Sequence, residues 1–268
     1  MAKISLFYKK EDKTISAAAK KLIGEIKKAF GIPVEVETIS SKDNIVISVG
    51  GDGTLLRSAK IAASQDLPIL GIHLGGLGFL NEVELKERIP AIKKALDGKF
   101  KVDSRMMIEG HVIRKGKTIG KVVALNDIVI GKSDIARTVT LDVNYKKHRI
   151  NTYRSDGLIV STPTGSTAHN LSAGGPLLTP DTTNIVITPI CPIKTGHKPI
   201  VLETEEVEII IKKTPGKKQA ILTADGQQKI YIETEDKIVI EKSKLTAKFM
   251  RLKPYDFFAI CREKMWWG

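Results

Sequence analysis

Aromatic residues and cysteines are scarce in this chain, and long apolar runs and blocks of like charge are missing from it. Only 5% of the 268 residues are Phe, Trp or Tyr, and only two are Cys. Cys191 and Cys261 lie far apart and without neighbouring metal-ligand residues, so two buried thiols are expected rather than a disulfide. No apolar stretch approaches the roughly 20 residues that span a bilayer. The start "MAKISLFYKKEDK" lacks the apolar core and cleavage region of a signal peptide. Both absences lead us to expect a cytoplasmic protein with no membrane partner. The net charge is +13, yet the lysines are scattered among 30 acidic residues rather than gathered in a block. With so few aromatics for base stacking, this reads as a solvated surface that attracts polyphosphate ligands, and no nucleic-acid partner is expected. His73, His111, His148, His169 and His197 stand on separate segments without ligand spacing, which argues against a zinc site. There is no G-x-x-x-x-G-K-[ST], no G-x-G-x-x-G after a strand and no G-x-S-x-G, so a P-loop, the usual dinucleotide fingerprint and a hydrolase elbow are excluded.

Strand and helix signals alternate through residues 1–100. "KISLFY", "NIVISV" and "PILGIHL" are short apolar runs. Between and after them, "TISAAAKKLIGEIKKAFG", "TLLRSAKIAASQ" and "LKERIPAIKKALDG" carry apolar positions at helical spacing. This βαβ series predicts an α/β domain with an open, mostly parallel, Rossmann-like sheet. Near residue 100 the pattern changes to strands separated by short turns, from "MMIEGHVIRKGKTIGKVVALNDIVIG" to "DKIVIEK". Residues 101–250 are therefore expected to form a second, β-rich domain of sandwich type, with the apolar tail 251–268 docking back on the first.

Three glycine clusters follow predicted strands. "GGDGT", residues 50–54, comes at the carboxyl end of "NIVISV", where open α/β sheets bind ligands. Glycines let backbone approach a phosphate, and the next helix offers the positive end of its dipole. Asp52 would repel that phosphate unless it binds Mg²⁺ or takes a proton from an attacking hydroxyl, and both jobs suit phosphoryl transfer. A plain tight turn is the competing reading. "GIHLGGLGFLNE" follows the next strand and would line the same crevice, or be a simple βα connection. "YRSDGLIVSTPTGSTAHNLSAGGP" packs small hydroxyl residues among glycines, which suits the edges of a nucleotide better than a core. Before it, Asn126 and Asp127 interrupt an apolar strand, where buried polar groups need partners; a strand-end turn is the alternative. Asp225 in "TADGQQ" reads first as a hairpin residue and second as a ligand contact.

Together, "GGDGTLL", "GGLGFL", "LNDIVI", "YRSDGLIVSTPTGSTAHNLSAGGP" and "LTADGQ" resemble the NAD kinase family, in family order from about residue 45 to 228. The long third block is the specific one, because diacylglycerol and sphingosine kinases also carry "GGDGT". The resemblance implies a two-domain subunit that transfers the γ-phosphate of ATP to the 2′-hydroxyl of the adenosine ribose of NAD, with Mg²⁺ or another divalent ion accompanying ATP. It implies a homodimer or homotetramer with the site in the crevice between domains. By match to the motifs, Asp52 would be the catalytic carboxylate, and Gly50, Gly51, Gly53 and Thr54 would cradle phosphate. Asn126 would bond adenine and Asp127 the ribose. Thr164, Thr167 and Ala168 would contact adenine, with His169 stacking on it, and Asp156 and Ser172 would meet the nicotinamide end. Gly75, Gly76, Phe79 and Asp225 are further candidate contacts. Three places depart from the family pattern: His73 for Asn, His169 for Tyr, and "PIKTGHKP", with Ile193 for His and Lys198 for Arg. Those departures leave a non-catalytic NAD(P)-binding regulator as one alternative, and a lipid or sphingoid-base kinase of the same superfamily is another.

Overall fold

The computed structural model describes residues 3–42, 44–75, 78–133, 138–214 and 220–265. The chain divides into two compact units, Met1–Arg105 with Leu245–Gly268, and Met106–Lys244.

In the first unit, β1 (Ile4–Tyr8) pairs in parallel with β2 (Val34–Val36) on one side and β3 (Ile45–Val49) on the other. Next to β3 lies β4 (Pro68–His73), also parallel, and the two-residue β5 (Val83–Glu84) pairs in parallel with its last two residues. All five positions of β1 are buried, as expected of a parallel strand covered on both faces. Helix α1 (Lys13–Phe30) puts Ala19, Leu22 and Ile26 on one buried stripe. Asp12 Oδ1 accepts from the Thr14 and Ile15 N–H groups, both at 3.0 Å, and Gly31 ends the helix in the left-handed conformation at φ 66°. The second helix, α2 (Asp52–Ser64), starts earlier than its apolar pattern suggested, so that Asp52, Gly53 and Thr54 form its first turn. Register pairs Val49 of β3 with Ile72 of β4, which sets the two following loops side by side at the carboxyl ends of neighbouring strands. Helix α3 (Arg88–Leu96) follows a 3₁₀ turn over Leu85–Glu87 and buries Ala91, Ile92 and Ala95.

The second unit is built from antiparallel strands. Its first three are β6 (Lys101–Arg114), which begins in the first unit, β7 (Lys117–Ala124) and β8 (Asp127–Gly131). Then come β9 (Val139–Tyr145), β10 (His148–Ser155) and β11 (Gly157–Ser161), followed by the single-turn α4 (His169–Ser172). The rest are β12 (Asn184–Ile190), β13 (Ile200–Glu203), β14 (Val207–Lys213), β15 (Ala220–Ala224), β16 (Gln228–Ile232) and β17 (Lys237–Arg251). One layer runs β13-β12-β11-β8-β15-β16. The other joins β10, β9, β14 and the start of β17, with β6 pairing both β17 and β7. One continuous core, including Ile128, Leu158 and Leu222 from the first layer and Leu141, Ile209 and Ile240 from the second, lies between them. Alternate burial along β9 and β14 is that of a sandwich with one dry face per sheet.

The end of β17 returns to the first unit, where Lys248 and Phe249 run parallel to Pro68 and Ile69 of β4, and α5 (Phe257–Met265) follows. Cys261 is buried, but Cys191 is exposed, so the expectation of two buried thiols fails for Cys191, which lies on the loop after β12 rather than in a core.

Candidate active site

In the first unit the glycine loop and the carboxylate meet as the strand order requires. Gly51 and Gly53 are exposed and Asp52 between them is half-buried, at the amino end of α2. Both of its oxygens have donors from the loop after β4. The Phe79 N–H donates to Oδ2 at 3.0 Å and the Asn81 side-chain amide to Oδ1 at 2.8 Å. The chain comes this close because residue 78 is glycine: a Cβ there would stand 2.1 Å from Asp52 Oδ1. Phe79 thus serves through its backbone. Gly75 lends its carbonyl to His73 Nδ1 at 2.5 Å, and Gly76 lies outside the described residues. Thr54 sits in the first turn, and its N–H closes on the Gly51 carbonyl at 3.0 Å.

In the second unit, Asp225 lies in the β15–β16 hairpin at φ 51°. Its carboxylate accepts the N–H groups of Leu125 (3.0 Å), Asn126 (2.8 Å) and Asp127 (3.2 Å), so it shapes the loop that carries two candidate contacts. From the other side, the Thr162 N–H donates to the Asn126 carbonyl at 2.8 Å, and Gly165 packs so tightly on Asn126 that a Cβ would lie 2.1 Å from that oxygen. With its backbone so committed, Asn126 leaves its buried side-chain Oδ1 without a hydrogen-bond partner; the same is true of the Thr164 hydroxyl. Buried polar atoms left unpaired cost stability, so both have bonding capacity that the fold leaves unused. Asp127 is 5% exposed. Burial first, and the neighbouring Asp225 charge second, push its carboxyl up to about 7.

Sequence reasoning missed Asn170. It is buried, its amide donates to the Ser166 and Pro176 carbonyls, and its Oδ1 accepts from Thr188 at 2.6 Å, which fixes the turn holding Thr164, Thr167, Ala168, His169 and Ser172. His169 and Ser172 are exposed, and Thr167 Oγ1 donates back to the Thr164 carbonyl at 3.2 Å. Asp156 is ion-paired with Lys132 at 2.7 Å. Of the three departures, His73 is buried in the first unit, while His169 and Ile193 are exposed in the second. A group with no sequence signal is Glu109, His111 and Glu241, whose ligand atoms lie within 4.8 Å of one another; Glu109 is already bonded by Lys121 and Ser243, both at 2.8 Å.

A carboxylate at a helix start beside bare glycines, and a hydroxyl-lined turn with unpaired polar atoms, define a kinase acting on a nucleotide. Residues 5–100 match the ATP-NAD kinase N-terminal domain and residues 125–252 the ATP-NAD kinase C-terminal domain. The NAD kinase of Moorella thermoacetica is 42% identical over 88% of this chain and 76% of its own length. That of Citrifermentans bemidjiense is 35% identical over the whole chain and 99% of its own. An NAD kinase from Archaeoglobus fulgidus, solved in complex with ATP, superimposes with a TM-score of 0.75 at 30% identity over 98% of both chains. Yeast NADH kinase, solved with NADH, shares the fold (TM-score 0.85, 21% identity, 99% of this chain and 87% of that one). The chain belongs to the NAD kinase family. It is a phosphotransferase that moves the γ-phosphate of ATP to the 2′-hydroxyl of the adenosine ribose of NAD, yielding NADP. The regulator and lipid-kinase alternatives are set aside.

Proposed function

We propose that Asp52 is the residue on which this reaction turns, orienting the 2′-hydroxyl of NAD and accepting its proton as the oxygen attacks the γ-phosphorus of ATP. The observation that carries this is the carboxylate's setting: anchored by two donors, it still has acceptor capacity for one more hydroxyl, since a carboxylate offers about four lone-pair sites. Gly50, Gly51, Gly53 and Thr54 cradle the phosphates, helped by the positive end of α2. Asn126 Oδ1 and Thr164 Oγ1 receive the adenine amino group and its surroundings, Asp127 the ribose hydroxyls, and Thr167, Ala168 and His169 the adenine face. Asp156 and Ser172 serve the nicotinamide end, where the Lys132 pairing of Asp156 must adjust or take part.

Among the described residues near Asp52, no set of oxygen ligands forms a cage for a divalent ion, and both Asp52 oxygens already accept hydrogen bonds. The residues would suit an ion that arrives on the phosphates of ATP, with Asp52 as the one carboxylate of the glycine loop able to face it. Such an ion neutralises phosphate charge. A homodimer or homotetramer located in the cytoplasm completes the reading, supported by family membership; light scattering gives the subunit number.

The test incubates Asp52→Asn with NAD, ATP and Mg²⁺ and reads NADP with an NADP-specific dehydrogenase. A base contributes about 10²–10⁴ in rate, and a loss of that size with unchanged NAD binding is expected. Turnover near wild type removes Asp52 from this role.

A further inference from the structure

The donors that hold Asp52 raise a question that the reaction does not answer. Asn81 is only 3% exposed, and its amide nitrogen faces Asp52 because an ionised carboxylate can only accept. Its Oδ1, also buried, has no hydrogen-bond partner. A buried amide with one end unpaired is worse for stability than an apolar side chain of the same size. Packing alone therefore favours leucine here, and what Asn81 adds is its hydrogen bond to Asp52.

We propose that Asn81 is a positioning residue for Asp52, held in register by Arg251 and Glu82. This inference rests on the reading of Asp52 given above. The loop that carries Phe79 and Asn81 is clamped on its other side by the chain leaving β17. Arg251 Nη1 donates to the Leu80 carbonyl at 3.0 Å. Glu82 Oε1 accepts the Leu252 N–H at 2.6 Å and the Lys253 N–H at 2.8 Å. Arg251 is fixed in turn: its Nε donates to Asp103 Oδ2 at 2.9 Å, and its guanidinium lies 4.4 Å from the Tyr255 ring centre. Arg105, 2% exposed, bonds both oxygens of Asp103 at 2.7 Å. A chain of hydrogen-bonded side-chain and backbone groups, most of them buried or half-buried, thus leads from residues 251–255 to a carboxylate whose own neighbours, Gly51 and Gly53, restrain it least. Displacement of a reacting group by about 1 Å costs on the order of 10²-fold in rate, and the Asn81 amide prevents that displacement.

The test is a double-mutant cycle with Asn81→Leu and Asp52→Asn, followed through NADP formation and NAD calorimetry. Asn81→Leu is expected to lower kcat by about 10- to 100-fold, with KM for NAD and ATP within about twofold of wild type. In the Asp52→Asn background, Asn81→Leu is expected to cost nothing further, because it acts only through that carboxylate. Asn81→Ser, too short to reach Asp52, gives the same pattern and stands in if the leucine variant does not fold. An unchanged kcat overturns the proposal. So does a loss that multiplies with that of Asp52→Asn, or one expressed in KM, since either assigns Asn81 to packing or binding. If Asp52→Asn alone keeps wild-type turnover, the Asp52 reading has failed, an outcome separate from a failure at Asn81.

Discussion

Asp127 shows at the scale of one residue how a candidate binding group is kept at a cost. Burial and the nearby Asp225 charge raise its carboxyl from 3.8 to about 7. A raised carboxyl pKa means that the folded state holds the proton more tightly than the unfolded chain does. Its contribution is present in full below pH 3.8 and is lost as pH rises through about 7. Between those limits a single proton gives a slope of at most about 1.4 kcal/mol per pH unit. Urea unfolding of wild type and Asp127→Asn at several pH values between 4.5 and 8 checks this. The variant is expected to gain on wild type steadily as pH rises and then level off; a difference flat across the range contradicts it. The same residues mark how far sequence reaches. Asn126 and Asp127 were visible because polar side chains interrupt an apolar run, and the hydroxyl block because its members cluster within one short stretch of chain. Asp225 as the organiser of that loop, and Asn81 as the partner of Asp52, were not, because each works on a segment far along the chain and no local pattern records it.

Among the elements, those with two covered faces or a clear helical stripe were legible, and those at sheet margins were not. β2, β10 and β13 lie at the edges of their sheets and β5 has two residues, so half-exposed positions blur their patterns. The β9–β10 hairpin was hidden for a further reason. Its turn places Lys146 and Lys147 at φ 48° and 65°, where Asn-Gly is the usual signal. Lysine is disfavoured in that conformation, and among the described residues exposed Lys147 forms no ion pair like the one that ties Lys146 to Glu203. Lys147→Gly is therefore expected to stabilise the chain by about 0.5–1 kcal/mol, relief of strain outweighing the added freedom of the unfolded state. A rise in the urea midpoint at unchanged slope checks it. The β6–β7 turn carries the more usual residue, with Gly116 at φ 77°. Helix α2 supplies the opposite case, an element whose start carries the proposed base. Gly78→Ala drives a methyl to within 2.1 Å of Asp52. It is expected to cut kcat towards the level of Asp52→Asn. Asp12→Ala, which removes the cap of α1, is expected to cost about 1 kcal/mol and leave the activity of folded molecules unchanged. Thermal unfolding alongside turnover separates the two.

Taken whole, the molecule carries a charge of +13 and acts on substrates that are anions. Many of its carboxylates are engaged by lysine or arginine, as in Glu35 with Lys3, Glu208 with Lys237 and Glu25 with Arg88, so the excess lysines set the field that an approaching ligand meets. That field falls off over a Debye length of about 10 Å at 0.1 M salt and about 3 Å at 1 M. ATP bears several negative charges and NAD close to one, so the two substrates should feel it unequally. Raising the salt from about 0.05 M to 0.5 M is expected to increase KM for ATP several-fold and KM for NAD much less. The value of kcat should hold, because the bonds that fix Asp52 are short and partly buried and are screened little. Steady-state kinetics at matched Mg²⁺ decide the point. Equal rises in both constants would mean that salt acts on something the substrates share. A flat KM for ATP would mean that the surface charge does not steer it, and that its binding rests on the groups around the glycine loop alone.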